Sequence, residues 1–441
     1  MAEQTLSTRQ ATRGRHPSSP GRAARPRAPR PNGAASPRPA SGAAGRPARL
    51  GRPAGSVTAR PARFARVRST TALSVLMGVL CVFGLVMVGS ASPLISMGLY
   101  GSPWAILIRQ ALYMGVGGCA LLLMARMDYH RWRSIRGPLV IGTLVLLVAV
   151  LMPGIGVSAG GSSRWIGFGM FQLQPSELMK LALVVFAADL LTRRPDASAD
   201  PKMVIVPVLA VLGISGVLIL KQPDMGTALV LGCIAFGILF MGGVPVASIM
   251  KLLAGLGAFA LVVGLADPYR RDRILSFLHP GANRAGSGYQ VWQSLIGLGS
   301  GHILGLGLGG GREKYGTLPN AHTDFIFSVV GEELGLVGAV VLLALFFALA
   351  WFGLRTALRA PDRFGSLVAV GITTWITSQA VINVGAVIGV LPVTGIPLPF
   401  ISFGGSSLII TMAAFGILLN VASHERPAPA VARPRRRPST R

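Results

Sequence analysis

Residues 325–354 read FIFSVVGEELGLVGAVVLLALFFALAWFGL, an apolar stretch in which only Glu332 and Glu333 carry charge. A helix needs roughly 20 apolar residues to cross the hydrocarbon core of a bilayer, so this stretch predicts a membrane-spanning helix. Nine further apolar runs occur on either side of it, at 71–90, 104–125, 138–152, 177–191, 203–220, 226–241, 249–266, 366–388 and 406–422. The sequence therefore predicts an all-α polytopic membrane protein with ten transmembrane helices.

The basic residues are concentrated at the two ends of the chain. The net charge is +27, and the terminal segments 1–68 and 424–441 hold half of all Lys and Arg residues. Both segments are rich in Pro, Ala, Gly and Arg and too poor in apolar residues to fold. We expect a disordered basic arm at 1–68, a membrane domain at 69–423 and a disordered basic tail at 424–441. The two arms either fix the topology or attract anionic lipid headgroups or an acidic partner, and this charge distribution argues against a nucleic-acid partner.

Arginines in the short loops predict the orientation. They follow the second, fourth and eighth apolar runs, and positively charged short loops stay in the cytoplasm. Both termini are then cytoplasmic, and the long segment 267–323 between helices 7 and 8 is a large extracytoplasmic loop. This loop has a net charge of +3, which suggests an anionic ligand. The first apolar run has no small-residue cleavage site and is expected to be an uncleaved anchor.

Several ionisable residues occur within or beside the apolar runs, where they are costly and therefore candidates for function. They are Arg109, Glu177, Lys180, Asp189 and Asp224. Glu177 and Lys180 are three positions apart and share a helix face, so they form either a structural ion pair or part of a site. Asp224 precedes a helix, which it can cap unless it faces a polar cavity. Asp189 is near Arg193 and Arg194, which predicts an interfacial position.

Two Gly-Gly-Ser-Ser tetrapeptides, 160–163 and 404–407, lie on the predicted outer side. Each is expected to begin a helix, either as a simple cap or as a phosphate site. The proline-rich segment 391–399 cannot be helical throughout and should form an outer loop. The glycine cluster 305–311 superficially resembles a dinucleotide fingerprint, but it has no strand–turn–helix context. Cys81, Cys119 and Cys233 fall within apolar runs, so no disulfide framework is expected.

Taken together, these segments resemble the SEDS family of cell-wall proteins, the FtsW, RodA and SpoVE group. The resemblance extends over roughly residues 70–422 and is carried by the segments 161–166, 171–177 with Lys180, 222–227, 286–290, 322–327, 331–335 and 392–407. The segments 321–324 and 331–333 resemble the FtsW branch more than the RodA branch, which points to septal synthesis. The resemblance implies a bacterial plasma-membrane glycosyltransferase that polymerises lipid II beside a class B penicillin-binding protein and other divisome proteins.

The implied reaction is attack of an acceptor sugar hydroxyl on a lipid-linked donor sugar, with undecaprenyl pyrophosphate as the leaving group. The resemblance implies a general base at an Asp a few residues before Gly286–Gln290, but this chain carries Asn283 there. An amide cannot take the proton near neutral pH, so Asp272 or Asp267 is the possible substitute base. The predicted substrate-binding residues are Arg109, Arg164, Glu177, Lys180, Asp224, Tyr289, Gln290, Ser294, His322, Asp324 and Ser406. A divalent metal, Mg²⁺ or Mn²⁺, is a possible cofactor.

Two alternatives follow from the same residues. Asn283 is compatible with a catalytically impaired paralogue that serves as a division or cell-shape scaffold for its penicillin-binding partner. The ionisable residues Arg109, Lys180 and Asp224 are compatible with a lipid II transporter. Inverted-repeat carriers often show paired broken helices, and the sequence gives no sign of such a pair.

Overall fold

The computed structural model describes residues 68–159, 162–168, 171–195, 200–266, 271, 286 and 288–425. Asp267, Asp272, Asn283 and nearly all of both predicted arms lie outside these residues. The described residues form twelve helices: α1 Ser69–Ala91, α2 Pro93–Tyr100, α3 Ala105–Arg126, α4 Arg131–Ala149, α5 Pro175–Arg193, α6 Lys202–Lys221, α7 Met225–Met241, α8 Val246–Ala266, α9 Tyr289–Ser300, α10 Ile326–Arg359, α11 Arg363–Val387 and α12 Gly405–Ser423.

All ten predicted spans are helical in the structure, which confirms an all-α, polytopic membrane region. Among the described residues, seven helices are long and apolar enough to cross a membrane: α1, α3, α4, α6, α10, α11 and α12. The helix α5 carries four ionisable residues along its length, and α7 is only 17 residues long. Crossing by α5, α7 and α8, which a count of ten requires, stays a prediction.

Burial divides the helices into a central and a peripheral set. Within the apolar windows of α11 and α12, 78% and 83% of the residues are buried, against 17–33% for the other five candidate spans. The helix α5 is also largely buried and packs against α4, α7 and α11. The peripheral helices expose large apolar side chains such as Val145 and Phe347, as expected for surfaces that face lipid.

A small sheet between α4 and α5 was not predicted. The strands β1 Gly156–Ala159, β2 Ser162–Phe168 and β3 Phe171–Leu173 pair antiparallel in the order β1-β2-β3. The prediction that residues 160–163 begin a helix is therefore wrong, because Ser162 and Ser163 lie in β2. The β2 segment that follows is rich in aromatic and β-branched residues, which fit a half-buried strand. The second tetrapeptide does begin a helix, with Gly404 at the N-cap of α12.

The helix α10 is interrupted near its outer end. Gly335 has φ 67° and ψ −166°, outside the helical region. Part of the predicted outer loop fills the break: the backbone N–H groups of Leu306 and Gly307 donate to the carbonyl oxygens of Glu332 and Glu333, each at 3.0 Å. The glycine cluster 305–311 thus packs against the interrupted helix, in agreement with the rejection of a dinucleotide motif. The proline-rich segment 391–399 is non-helical, as predicted.

Candidate functional site

A buried ion pair lies near the N-terminal end of α5. Glu177 and Lys180 are each about 1% exposed, and Lys180 Nζ lies 2.7 Å from Glu177 Oε2. Lys180 also donates to Gln379 Oε1 at 2.8 Å and lies 4.8 Å from the centre of the Trp375 ring. The predicted pairing is confirmed. Because desolvated charges need several partners, Gln379 and Trp375 of α11 complete this part of the site.

Asp224 adds a second carboxylate. It caps α7 by accepting from the Thr227 backbone N–H at 3.1 Å, which confirms the capping prediction. Its other oxygen accepts from Thr227 Oγ1 at 2.8 Å and from Gln174 Nε2 at 3.1 Å. The carboxylate also interacts electrostatically with Lys180. Asp224 is therefore both a helix cap and a member of the polar cluster, although the two roles were weighed as alternatives.

The strand β2 attaches Arg164 to the turn before α7. Its Nε donates to the carbonyl oxygen of Gln222 at 2.8 Å and its Nη2 to that of Pro223 at 2.6 Å. A side chain at Gly395 would meet Asp324 Oδ2 at 3.5 Å and Arg164 Nη1 at 4.0 Å. Arg164 and Asp324 thus lie near the same glycine of the proline-rich loop. Only a small residue keeps that space open.

The proline-rich loop is fixed to the ends of two helices. Asn383 of α11 donates to the backbone carbonyl oxygens of Asp324 and Ile396, at 2.7 and 2.8 Å. Ser406, in the first turn of α12, accepts from the backbone N–H of Gln174 at 3.2 Å. These contacts hold the segments before α5, α10 and α12 together next to the Glu177–Lys180 ion pair.

His322 lies at the edge of this region. Its ring centroid is 5.8 Å from that of Phe403, and its backbone carbonyl accepts from the Phe403 N–H at 3.0 Å. Burial lowers the pKa of His322 to about 4, so the imidazole is neutral at pH 7. Among the described residues, its Nδ1 atom has no hydrogen-bond partner. This nitrogen is itself buried, so it does not face solvent.

Other predicted site residues lie apart from this cluster. Arg109 contacts Tyr100 through a 2.7 Å hydrogen bond and a ring contact of 4.1 Å. Ser294 is buried and donates to the Val387 carbonyl at 2.8 Å, which ties α9 to α11. Tyr289 and Gln290 are half-buried in the first turn of α9. Their roles in substrate binding stay predictions, as do those of Asn283 and Asp272, which the structure does not describe.

A second charged cluster was missed by the sequence reasoning. Lys314 Nζ lies 2.6 Å from Glu333 Oε1, and the hydroxyl of Ser90 donates to the same carboxylate at 2.7 Å. Glu332 accepts from the Arg312 backbone N–H at 2.6 Å. Lys314 is only 4% exposed, so its charge is neutralised inside the protein and does not attract an outer ligand. The adjacent Glu332 and Glu333 within an apolar run were the available signal.

The possible divalent metal receives no support from the part of the chain that is described. No group of three or more His, Cys, Asp and Glu residues there is arranged to hold an ion. The carboxylates of Glu177 and Asp224 are engaged by Lys180 and by N–H and O–H donors. The described residues therefore do not fit a metal site, and no step below involves one.

The fold and site define a polytopic helical membrane protein with a charged, buried cluster beside the loops that precede α5, α7, α10 and α12. A profile of the FtsW/RodA/SpoVE family, described as cell cycle proteins, matches residues 71–427. The chain belongs to this family, also known as SEDS.

Similar proteins extend over the whole membrane domain. The Geobacter metallireducens protein named probable peptidoglycan glycosyltransferase FtsW is 43% identical, with 79% of this chain and 92% of the relative covered. Stage V sporulation protein E of Bacillus subtilis is 42% identical, with 79% and 95% covered. Among solved structures, a peptidoglycan synthase complex that coordinates polymerization and crosslinking gives a TM-score of 0.66 at 32% identity, with 80% of this chain and 97% of that chain covered. The rod shape-determining protein RodA of Thermus thermophilus gives 0.58 at 30% identity, with 81% and 97% covered.

Proposed function

We propose that this chain polymerises lipid II into glycan strands for septal cell-wall synthesis. It is an FtsW-type peptidoglycan glycosyltransferase of the SEDS family. The observation that carries the proposal is the gathering of segments that are far apart in sequence: Arg164, Glu177, Lys180, Asp224, Asp324 and Ser406 converge beneath the outer loops. All six positions belong to the segments on which the family resemblance rests.

The cluster suits a lipid-linked diphosphate sugar. Arg164 is half-buried and close to Gly395, where a guanidinium can contact a diphosphate. The N-terminus of α12 begins with small residues, and its free N–H groups favour an anion. The Glu177–Lys180 pair is fully engaged within the protein, so its role is to hold α5 against α11. The neutral His322 ring lies at the edge of this cluster.

Asn283 occupies the position where the family resemblance expects the general base. General-base assistance contributes roughly 10² to 10⁴ in rate, and a neutral amide cannot supply it. Under the proposal, Asp272 or Asp267 accepts the proton instead. The second candidate function, a scaffold for a class B penicillin-binding protein without polymerase activity, is favoured by this one substitution. Transport of lipid II ranks behind both.

The proposed setting is the bacterial plasma membrane, with ten spans formed by α1, α3–α8 and α10–α12. Both termini lie in the cytoplasm, and the 267–323 loop lies outside. The positive charges of the short loops support this orientation. The similar peptidoglycan synthase complex supports a class B penicillin-binding protein as the partner.

The proposal is tested by measuring strand synthesis from labelled lipid II. The purified full chain is assayed alone and with its co-purified penicillin-binding partner. We expect the native chain to make polymer, Asn283→Asp to be at least as active, and Asp272→Asn to lose at least about 100-fold if Asp272 is the base. Arg271→Gln is the matched control for charge change in the same loop. If only Asn283→Asp makes polymer, the native chain is a scaffold and the proposal is wrong.

A further inference from the structure

Three arginines surround one buried carboxylate at the end of α5 opposite the candidate site. Asp189 is about 1% exposed, and its oxygens lie 2.9 Å from Arg133 Nε, 2.9 Å from Arg136 Nε and 2.8 Å from Arg193 Nε. We call these four residues the arginine cluster. Arg133 and Arg136 come from α4, and Arg193 is in the last turn of α5. The cluster therefore joins two helices where they leave the membrane.

The cluster has more positive charge than its carboxylate neutralises. Three guanidinium groups and one carboxylate leave a net charge of +2. A guanidinium carries five N–H donors. Arg133 Nε donates to Asp189 Oδ1, whereas Arg136 Nε and Arg193 Nε lie within ion-pair distance of Oδ2 without forming a hydrogen bond to it. Arg136 Nη1 also donates to the Arg133 carbonyl at 2.9 Å. Among the described residues, no acceptor is found for the remaining Nη donors of the three arginines.

The three arginine side chains are partly exposed at the protein surface. The side chains of Arg133, Arg136 and Arg193 are 34%, 33% and 53% exposed. The ion pairs with Asp189 hold the three guanidinium groups close to one another. Fixed guanidinium groups are suited to binding phosphate through two parallel N–H···O bonds. A single arginine would be enough to pair Asp189, so a purely structural ion pair leaves the other two unexplained.

The surroundings of the cluster distinguish a lipid from a soluble anion. Ile135 and Ile141 of α4 and Met203 and Val206 of α6 are exposed apolar side chains, from 43% to 64%. The helices α4, α5 and α6 pack against one another, so this apolar surface begins beside the arginines and continues into the membrane. A phosphate attached to acyl chains can contact both the cationic and the apolar parts.

We propose that the arginine cluster binds the phosphate diester of an anionic phospholipid, such as phosphatidylglycerol, in the cytoplasmic leaflet. The net charge favours an anionic headgroup over a zwitterionic one, and each nearby basic residue contributes about 1 kcal/mol, or about fivefold in affinity. The site is at the opposite end of α5 from the candidate site, so it stands independently of the proposed glycosyltransferase activity.

Native mass spectrometry of the full chain in detergent tests this site. We titrate dioleoyl-phosphatidylglycerol or dioleoyl-phosphatidylcholine and measure the dissociation constant of the first bound lipid. The expected result is tighter binding of phosphatidylglycerol, by about tenfold or more. Arg193→Gln should weaken phosphatidylglycerol binding about fivefold, whereas Arg126→Gln should leave it nearly unchanged. Arg126 is an exposed arginine at the end of α3, so it matches the charge change outside the cluster.

Arg193→Gln leaves two arginines on Asp189, and Arg193→Lys provides a variant that keeps the charge if the first does not fold. The lysine variant should bind more weakly than the native chain, because it lacks the planar pair of donors. Equal binding of the two lipids, or equal effects of Arg193→Gln and Arg126→Gln, would overturn the proposal. Displacement of phosphatidylglycerol by millimolar inorganic phosphate or glycerol phosphate would show a site for soluble phosphate and would overturn the lipid assignment.

Discussion

Lys180 illustrates how a charge is retained inside the membrane domain. It is about 1% exposed and has three partners, Glu177, Gln379 and the Trp375 ring. Removing one member of such a pair costs about 3–5 kcal/mol, because the other charge stays buried without compensation. Replacing both members by neutral groups of similar size is far less costly. The double change should therefore cost less stability than the single change of Lys180.

We expect Lys180→Met to lower the apparent melting temperature in detergent strongly, and Lys180→Met with Glu177→Gln to recover most of the loss. The measurement is a thermal unfolding series on purified protein, followed by intrinsic fluorescence. Lys221→Met, at the exposed end of α6, is the matched control and should have little effect. If the double variant is as unstable as the single one, the loss of stability does not come from leaving the Glu177 charge unpaired.

His322 makes stability depend on pH. Burial lowers the pKa of His322 to about 4, whereas an unfolded histidine has a pKa of about 6.5. Between these values the unfolded chain binds a proton that the folded chain does not, so folding weakens as the pH falls through this window. The effect is absent above about pH 6.5 and reaches at most about 3 kcal/mol near pH 4.

We expect His322→Gln to lose less stability than the native chain between pH 7 and pH 4, as measured by melting temperature across that range. His302→Gln, at an exposed position in the same loop, should follow the native chain. Identical pH profiles for the native chain and His322→Gln would contradict the assignment of a buried, neutral ring.

Sequence reasoning at this scale succeeded where the partners are close along the chain. Glu177 and Lys180 are one helical turn apart, and Asp224 lies three residues before the N–H that it caps, so spacing alone predicted both contacts. Gln379 and Trp375 were missed because their contact with Lys180 depends on how α11 packs against α5. Asp189 was expected to be interfacial through Arg193 and Arg194, but Arg133 and Arg136 of α4 help to bury it.

At the scale of elements, the break in α10 depends on Gly335. Its φ of 67° is in the left-handed region that favours glycine. A side chain there would meet the Gly305 N at 2.4 Å and the Ile303 O at 2.5 Å, both backbone atoms that cannot move independently. The loop between α9 and α10 is therefore bound to the break, and Glu333, two residues before Gly335, pairs with Lys314 of that loop.

We expect Gly335→Ala to destabilise the chain by several kcal/mol and to expose the 301–311 segment to hydrogen exchange. Gly118→Ala is the control, because a side chain at that helical glycine meets nothing within 4 Å; it should be neutral or stabilise by up to about 1 kcal/mol. Hydrogen–deuterium exchange and melting temperature are the measurements. Unchanged protection of 301–311 in Gly335→Ala would contradict the docking role.

Apolar runs predicted the helices because each run satisfies its own backbone hydrogen bonds, so length and hydropathy are enough. They did not predict the sheet, since its three strands are only 4, 7 and 3 residues long and are stabilised by pairing with one another. They also gave no sign of the break in α10, because Gly335 lies inside one long run whose only charged residues are Glu332 and Glu333. Here the competing interaction is tertiary: the carbonyl groups freed at the break bond to the loop.

At the scale of the whole molecule, hydropathy does not reveal which helices are central. The buried helices α11 and α12 are less apolar than the peripheral helices α1, α6 and α10. Central helices in a membrane protein contact other helices and carry polar groups that hydrogen-bond to them. Gln379 accepts from Lys180 of α5, and Asn383 donates to the Asp324 carbonyl just before α10. The candidate site lies where these polar helices meet the outer loops. The positions of the helices were therefore predictable, whereas their arrangement was not.

The number of spans is testable because each crossing reverses the side of the membrane. Ten spans place Ser134 inside, Lys221 outside, Pro245 inside and Thr317 outside, and the helices α5, α7 and α8 decide whether this alternation holds. All four side chains are exposed, so single cysteines at these positions in a chain lacking Cys81, Cys119 and Cys233 report the side directly.

In intact spheroplasts, a membrane-impermeant maleimide should label Lys221→Cys and Thr317→Cys, and it should label Ser134→Cys and Pro245→Cys only after permeabilisation. Labelling of Ser134→Cys and Lys221→Cys from the same side would mean that α5 does not cross. Labelling of Lys221→Cys and Pro245→Cys from the same side would mean that α7 does not cross. Labelling of Pro245→Cys and Thr317→Cys from the same side would mean the same for α8. The chain lacking cysteines is the control for background labelling, and a strict alternation across all four sites requires α5, α7 and α8 each to span the bilayer.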